Sequence, residues 1–240
     1  MPEHTALAKT SGTLRLAVLL ALAGGFLDAF TYVGHGGVFA NAQTGNVVLL
    51  GVFAAQGYWA QALRHVPPLL AFALGVATAE TMQHPKVAPL VRWPHRAALI
   101  AELVVLAAVG LLPDSFNGTA VVLLVAYVAA VQNSTFGTLR SWPVNTTMTT
   151  GNLRTTVRAA YRAVFIRDEN RAKHARQARS FGTICLAFLG GAGLGALLAA
   201  HWGNRAAWVA GVLLLAGLAL FVIDERRAAR DQVCATSADR

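Results

Sequence analysis

Two copies of the tripeptide Thr-Gly-Asn combine hydroxyl and amide side chains with a flexible glycine. They lie at Thr44-Gly45-Asn46 and Thr150-Gly151-Asn152, each after a long apolar segment and before a helical one. The offset is 150 − 44 = 106 residues, so the copies take the same position in two halves of the chain. Repeated polar breaks in apolar segments are typical of transporter cores, where such groups bind a solute or ion. We therefore predict a polar site built from both copies.

A carboxylate lies at the corresponding place in the first apolar segment. Asp28 follows Gly24-Gly25-Phe26-Leu27, and its counterpart in the second half, with a one-residue shift, is Asn133. An ionised side chain inside a membrane is costly unless it is paired or hydrated, so we predict that Asp28 carries a proton or binds a cation. In the alternative interpretation, Asp28 lies near the membrane interface and accepts hydrogen bonds from backbone N–H groups of the broken segment.

The predicted substrate-binding residues share polar side chains or flexible backbone at these breaks. They are Asp28, Asn41, Thr44, Gly45, Asn46, Gln132, Asn133, Thr150, Gly151 and Asn152. Glu102, six residues beyond Arg96, is a second candidate for proton or cation coupling, and Arg154 is a candidate for attracting an anion. The alternative is that both Thr-Gly-Asn motifs only cap helices and bind nothing.

The composition places these residues in a membrane. Hydrophobic residues make up 55% of the 240 residues, charged residues make up 13%, and the mean hydropathy is +0.51. We predict an all-α polytopic membrane protein, because six apolar segments approach the roughly 20 residues that cross a hydrocarbon core. They are Leu14–Tyr32, Pro67–Met82, Ala97–Leu112, Thr119–Thr135, Phe181–Ala200 and Ala206–Ile223. Two shorter segments, Thr44–Gly57 and Thr150–Ile166, are predicted to be broken or interfacial helices.

The distribution of the net charge of +9 predicts the orientation. Basic residues precede the first span, lie between the second and third, are frequent in Arg154–Arg179 and follow the last span. The loop 113–118 has one charged residue, the acidic Asp114. Six crossings place all the basic regions in the cytoplasm, together with both termini. If the first short segment crossed, the loop with Lys86 and Arg92 would face outward. In a membrane protein this charge does not indicate a nucleic-acid partner.

Six crossings divide into three plus three, which predicts an inverted internal repeat. The repeats are residues 14–112 and 119–223 of a single membrane domain, 1–240, and residues 224–240 form a cytoplasmic tail. Arg96–Ala101 resembles Arg205–Ala210, which adds a second match between the halves.

The first short segment is predicted to be a half-helix. Val47–Ala55 has no polar side chain and covers only about 13 Å, near half of the hydrocarbon core. Thr44 is predicted to cap it. Two half-helices that enter from opposite faces would meet near the midplane.

Two further patterns concern lipid and helix packing. Arg154, Arg158 and Arg162 recur every four positions and predict a basic amphipathic helix on the anionic inner leaflet, followed by a solvated connector, Arg167–Arg179. Gly191 and Gly195 form a small-xxx-small pattern that predicts close helix packing or a homo-oligomer.

Several short motifs resemble those of a known family. Gly25-Phe26-Leu27-Asp28-Ala29, Phe39 with Thr44-Gly45-Asn46, then Gln132-Asn133 and Thr150-Gly151 resemble the YoaK family of bacterial inner-membrane proteins. The resemblance covers nearly all of the chain. It implies a multi-pass protein of the bacterial inner membrane, and it implies no substrate, reaction or catalytic residues.

The residues predict a small-solute or ion transporter or channel embedded in the lipid bilayer. The alternative is a non-transporting scaffold or assembly factor, which would bury Thr44, Asn46, Thr150 and Asn152 away from water. We expect no enzymatic activity, metal or cofactor, because the two cysteines form no cluster and no nucleophile–base motif occurs.

Overall fold

The computed structural model describes residues 13–91, 93–136, 138–139, 142–147, 149–166 and 169–238. The long helices in these ranges follow the predicted apolar segments. They are α1 (Leu14–Gly34), α4 (Val66–Gln83), α5 (Pro94–Leu111), α6 (Gly118–Thr135), α8 (Arg171–Trp202) and α9 (Ala207–Ala238). Shorter elements are α2 (Gln43–Ala55), α3 (Trp59–Leu63), α7 (Thr150–Phe165), the 3-10 turn η1 (Gly203–Ala206) and the paired two-residue strands β1 (Thr138–Leu139) and β2 (Trp142–Pro143).

Five helical stretches of the described chain are long and apolar enough to cross a membrane. One of them, Arg171–Arg227, contains 57 residues and comprises both α8 and α9. A straight helix of that length would extend over about 85 Å, roughly twice the thickness of a bilayer. The stretch turns at η1, where Gly203 has a φ of 53°. The chain is therefore an all-helical, multi-pass membrane protein, as the composition predicts.

The shorter predicted elements differ in detail from the structure. Helix α2 has 13 residues and covers about 20 Å, less than the hydrocarbon core. Residues of the predicted connector are helical from Arg171 onward, and residues 224–238 of the predicted tail continue α9. Residues 167–168 and 239–240 of these two segments lie outside the described ranges. Helix α3 was not predicted.

The core lies where α1, α5, α6 and α9 meet. Large apolar side chains fill it, and Phe26, Phe30, Leu106 and Phe221 are among those that are fully buried. Other leucine and valine side chains, such as Leu186 and Val104, remain exposed on the outer surface of the bundle, where they can contact lipid.

Glycines bring α1 and α8 into backbone contact. A Cβ atom on Gly191 would lie 2.0 Å from the carbonyl oxygen of Leu22, and one on Gly195 would lie 2.3 Å from that of Phe26. From the other side, a Cβ on Gly25 would lie 2.1 Å from the carbonyl oxygen of Phe188. The small-xxx-small pattern therefore packs α8 against α1 within one chain, as predicted for close packing, and these two glycines are buried there.

The same contact occurs between α4 and α6. A Cβ on Gly75 would lie 2.5 Å from the carbonyl oxygen of Tyr127. Gly191 follows Gly75 by 191 − 75 = 116 residues, and Tyr127 follows Leu22 by 127 − 22 = 105. The helix pairs correspond too: α1 contacts α8 and α9, whereas α6 contacts α4 and α5. Exchanging the two halves of the chain therefore leaves this set of contacts unchanged.

The long helices run between two distinct ends of the bundle. At one end, named here the Asp114 end, α1 finishes at Gly34 beside the start of α6, and a cavity joins Gly34 to Asp114 and Trp202. At the other, named the basic end, Arg96 donates hydrogen bonds to the Glu225 carboxylate and connects the start of α5 to α9. Arg15 near the start of α1 and Arg171 at the start of α8 lie at this same end, whereas Arg64 and Arg205 line cavities at the Asp114 end.

Replacing Gly191 by alanine should destabilise the protein. The added Cβ would overlap the carbonyl oxygen of Leu22, and such overpacking costs about 1–3 kcal/mol. Gly193→Ala is the matched control, because nothing lies within 4 Å of a Cβ there and alanine favours the helix. Thermal unfolding in detergent should show a lower Tm for Gly191→Ala alone. Equal Tm values for the two variants would contradict the close contact.

Candidate functional site

The first break is the segment 35–42 between α1 and α2. Side chains of α1 hold it by accepting hydrogen bonds from its backbone N–H groups. Asp28 Oδ1 accepts from the N–H groups of Asn41 at 2.6 Å and Ala42 at 3.2 Å. Thr31 Oγ1 accepts from the N–H of Ala40 at 3.1 Å. Ala42 is the N-cap residue of α2, whose first N–H groups have no partner within the helix. A carboxylate at this position satisfies them and also faces the positive end of the helix dipole.

This arrangement corrects the predicted cap of α2 and agrees in part with the alternative interpretation of Asp28. Thr44 does not cap α2: the side chain of the N-cap residue makes no capping bond, and Thr44 is exposed. Asp28 accepts backbone N–H groups, as the alternative interpretation proposed. However, it does so as a buried residue in the interior of α1, only 4% exposed, and not near a helix end. The carboxylate of another helix caps α2 because it reaches two N–H groups at once.

The two Thr-Gly-Asn asparagines make the same pair of hydrogen bonds. Asn46 donates from Nδ2 to the carbonyl of Phe39 at 2.8 Å and accepts at Oδ1 from the N–H of Phe39 at 3.0 Å. Asn152 donates to the carbonyl of Asn145 at 2.5 Å and accepts from its N–H at 3.4 Å. Each asparagine side chain therefore binds both backbone groups of the residue seven positions earlier, an arrangement named here a clamp. Each clamp fixes the backbone of the segment that leads into a short helix.

The first clamp belongs to a larger buried network. Asn46 Nδ2 also donates to Gln43 Oε1 at 3.0 Å, and Gln43 Nε2 donates to the carbonyl of Ala40 at 2.7 Å. His65 Nδ1 lies 3.2 Å from Asn46 Oδ1, which only accepts, so the proton is on Nδ1. Gly45 leaves room for the ring of Phe39, 3.0 Å from where a Cβ would be. The network holds α2 against the beginning of α4.

The second break meets the first at Gly24. Asn41 Nδ2 donates to the carbonyl of Gly24 at 3.3 Å, and a Cβ on Gly24 would lie 2.8 Å from the carbonyl oxygen of Thr146. Thr146 Oγ1 in turn donates to Asn133 Oδ1 at 3.5 Å, so Asn133 contacts the second break through a side-chain hydroxyl, whereas Asp28 accepts backbone N–H groups of the first. Gly24 is the middle residue of α1. Both breaks thus reach the centre of the bundle.

The two breaks approach this point from opposite ends. After the first, α2 and α3 lead to Arg64, which lines a small cavity with His35 at the Asp114 end. After the second, α7 leads to Ala163, whose carbonyl accepts from Arg171 Nε at 2.9 Å at the basic end. The predicted meeting of two half-helices inside the bundle agrees with these contacts.

Besides His35 Nε2 at the Asp114 end, four buried side-chain atoms have no hydrogen-bond partner among the described residues. They are Asp28 Oδ2, Asn41 Oδ1, Gln132 Nε2 and Glu102 Oε2. Asp28 and Asn41 are bonded to each other through Asp28 Oδ1 and the backbone of Asn41. Buried polar groups are almost always paired, so such atoms mark places where a bound group or a proton is expected. Carboxylate and amide oxygens accept a cation or the donors of a solute.

The structure separates the predicted site residues into three groups. Asp28, Asn41, Asn46, Gln132 and Asn152 are buried, and Asn133 is half-buried beside them. Thr44, Thr150, Gly151 and Arg154 are exposed, and Gly45 is half-buried over Phe39. Glu102 is buried in α5, on a helix that neither break contacts extensively.

Sequence analysis missed Thr31, Gln43, His65 and Thr146. Thr31 follows Asp28 by three positions and Gln43 precedes Asn46 by three. Each pair therefore shares a helix face with a residue that was predicted, and this spacing was the available signal. No comparable signal points to His65, which reaches the first clamp from the start of another helix.

A cavity of about 1010 Å³ opens at the Asp114 end. It is lined by the ends of α1, α5 and α8 and by η1, and its polar residues include His35, Asp114 and Arg205. Burial lowers the pKa of His35, and the Asp114 carboxylate partly opposes this effect, so the imidazole is neutral at pH 7. His35 is seven residues beyond Asp28, about 10 Å along the helix. The cavity thus ends about two helical turns from the central carboxylate.

Comparison with known families gives one match. The model of a family described as a protein of unknown function, DUF1275, matches residues 16–220, which include both breaks and Asp28. The chain belongs to this family. No curated protein and no solved structure matches the chain. The match supports the predicted membership of an uncharacterised family, and the function must be inferred from the geometry.

The hydrogen bonds of the two clamps predict that, in each Thr-Gly-Asn motif, replacing the asparagine lowers stability much more than replacing the threonine. Asn46→Ala and Asn152→Ala should each lower the free energy of unfolding by about 2–4 kcal/mol, because each loses both clamp hydrogen bonds to a half-buried N–H and C=O, and Asn46→Ala also loses its contacts with Gln43 and His65. Thr44→Ala and Thr150→Ala remove exposed side chains and should change it by less than about 0.5 kcal/mol. Chemical unfolding in detergent measures both. A larger loss of unfolding free energy for the threonine variants would contradict the stabilising role of the asparagine clamps.

Proposed function

We propose that the chain transports a small solute or ion through the centre of its bundle. The observation that carries this proposal is the meeting of two broken segments, entered from opposite ends, at Gly24 beside the buried carboxylate of Asp28. Irregular polar backbone at membrane depth is tolerated where it is buried in protein or lines a pathway. A buried acid with an unpartnered oxygen at that place supports the pathway.

The proposal includes an inverted repeat of residues 14–112 and 119–223. The Gly75–Tyr127 and Gly191–Leu22 contacts support it, because they join corresponding helices of the two halves. The two clamps support it as well: 152 − 46 and 145 − 39 are both 106. Two such halves can exchange roles when the protein alternates between inward and outward access.

The orientation proposed is six crossings in a bacterial inner membrane with both termini in the cytoplasm. Support comes from the charges: Arg15, Arg96 and Arg171 belong to the basic end, whereas Asp114 belongs to the other. The cavity at the Asp114 end then opens to the periplasm and leads towards Asp28.

Asp28, Asn41 and Gln132 are the proposed solute contacts. Asp28 has one oxygen that accepts two N–H groups and a second oxygen without a partner, and this second oxygen can accept a proton, a cation or a donor group. Gln132 Nε2 offers a donor on α6. Glu102 is proposed as a second carrier of a proton. The Thr-Gly-Asn asparagines position these groups without contacting the solute.

A scaffold or assembly factor is the second candidate, and one observation favours it. The Thr-Gly-Asn asparagines, Asp28 and Thr31 all bind backbone groups of the breaks, as devices that only shape the fold would. The two candidates differ in whether water reaches the unpartnered atoms. We propose no catalytic role for these residues.

Asp28→Asn tests the role of the carboxylate. The variant loses the charge but keeps an oxygen at Oδ1 for the two N–H groups, so its stability should fall by no more than about 2 kcal/mol. Proton flux, followed with a pH-sensitive dye, and thallium(I) flux should be measured in proteoliposomes. We expect at least one of these fluxes above that of empty liposomes, and we expect Asp28→Asn to lower it at least ten-fold.

Asp114→Asn is the matched control, because Asp114 also accepts a backbone N–H, that of Asn204 at 2.7 Å, but at the end of the bundle. It should retain most of the flux. Wild-type flux in Asp28→Asn, or equal loss in both variants, would refute a central role for Asp28.

Cysteine labelling separates the transporter from the scaffold. In a background with Cys185→Ser and Cys234→Ser, Gln132→Cys should react with a charged, membrane-impermeant thiol reagent in intact cells or in inverted vesicles. Ala130→Cys is the control on the same helix, because Ala130 is fully buried in the apolar interior. Labelling of Gln132→Cys alone supports a hydrated path. If neither site reacts from either side, the scaffold is favoured.

A further inference from the structure

Helix α7 has three different faces. Asn152, Ala159 and Ala163 are buried against α8. A second face exposes large apolar side chains, of which Val157 is 61% and Tyr161 is 60% exposed. The third face is the arginine row, defined as Arg154, Arg158 and Arg162. Only the first of these faces is covered by the described chain.

Two cavities lie on either side of the arginine row and share it. The first, of about 480 Å³, is polar and is also lined by Gly151, Thr155, Ala159 and Gln177. The second, of about 690 Å³, is mainly apolar and is also lined by Thr150, Leu153, Val157, Tyr161 and Ile166. A polar cavity and an apolar groove joined by cations match a ligand with an anionic head and an apolar tail.

The arginine row has no acidic partner among the described residues, in which Arg96–Glu225 is the only ion pair. Each guanidinium offers five N–H donors in a planar fork that suits phosphate oxygens. Three such groups on successive turns border a single cavity. The charge of the site therefore calls for an anion, and the geometry favours a phosphate.

Contacts between helices place the polar cavity at the level of lipid headgroups. Leu22 lies against Gly191 and Phe26 against Gly195, so Gly24 is level with Gly193 of α8. Gln177 is 193 − 177 = 16 residues away, about 24 Å along the helix. The hydrocarbon core extends about 15 Å from its centre, and the headgroups extend to about 20–22 Å. With a modest helix tilt, Gln177 reaches the headgroup region of the basic end.

Helix α7 runs along α8 rather than across the end of the bundle. Cys185 Sγ donates to the carbonyl of Thr149, just before α7, and Arg171 Nε donates to the carbonyl of Ala163 near its end, so the two helices are antiparallel. This packing favours an α7 that begins deeper in the membrane than it ends, over one that lies along the inner leaflet. Thr150 and Leu153 line the apolar groove at the start of α7. The groove therefore extends from the basic end towards the hydrocarbon core.

We propose that α7 binds one anionic phospholipid, with the phosphate in the polar cavity and an acyl chain along the apolar groove. The arginine row holds the phosphate from the side shared by both cavities, and Gln177 and Thr155 add neutral donors. This site goes beyond the transport proposal and does not depend on it, because Gln177, which lines the phosphate cavity, is about 24 Å from the level of Gly24 in the direction of the basic end.

The test is lipid binding to the purified, delipidated protein, followed by native mass spectrometry. Dioleoyl phosphatidylglycerol and dioleoyl phosphatidylcholine share acyl chains and differ in net charge. The wild type should bind the first lipid at least ten-fold more tightly than the second. The triple variant Arg154→Gln, Arg158→Gln, Arg162→Gln should lose this preference.

The control removes three charges elsewhere at the basic end, with Lys86→Gln, Arg226→Gln and Arg227→Gln, and it should keep the preference. Equal loss in the control would overturn a defined site in favour of diffuse attraction. A wild type without preference for the anionic lipid would also overturn the proposal.

A second arm distinguishes a lipid from a free phosphate and does not depend on the triple variant being folded. Val157→Gln changes one exposed apolar side chain of the groove and leaves the arginine row intact. It should weaken phosphatidylglycerol binding at least three-fold. If it leaves that affinity unchanged while millimolar inorganic phosphate displaces the lipid, the site binds a free anion and the lipid proposal fails.

Discussion

Backbone N–H and C=O groups inside a bilayer must find partners within the protein, and this chain breaks its helices twice at that depth. Four polar side chains near the breaks provide such partners. Asp28 and Thr31 accept three consecutive N–H groups in front of α2, and Asn46 and Asn152 pair with both backbone groups of one residue each. These hydrogen bonds give partners to backbone groups that no helix satisfies, and they leave the centre of the bundle polar.

Close helix packing makes the central meeting point possible. Gly24 admits the backbone of the second break, and Gly25, Gly191 and Gly195 allow α8 to press against α1 on another side. A side chain at any of these positions would separate elements that bury Asp28. Within the hydrocarbon there is little hydrophobic force between helices, so this contact area and the internal hydrogen bonds hold the bundle together. Structural glycines and polar residues therefore share the same few turns of α1.

The sequence allowed the helices and the position of the breaks to be predicted, because apolar length and a repeated glycine motif are local properties. Asp28 was also found locally, as a charge among apolar residues. The hydrogen-bond partners of these residues could not be predicted from the sequence. Asn46 and Asn152 bind backbone seven positions away, Thr44 is displaced as a cap by a carboxylate from another helix, and α7 is turned along α8 by contacts of small side chains. Such partners depend on how separate segments meet, which no spacing in one segment reveals.

The two halves differ in one chemical respect at corresponding places, since Asp28 fastens the first break and Asn133 the second. The carboxylate that holds the start of α2 is also the group with an unpartnered oxygen. A proton or cation that draws charge from Asp28 weakens its two charge-assisted hydrogen bonds to α2. Occupancy of the site and the grip on the half-helix are therefore antagonistic. Under the proposed transport function, only the half that contains Asp28 would loosen its hold on a half-helix when the ligand binds, so the two access routes would respond unequally.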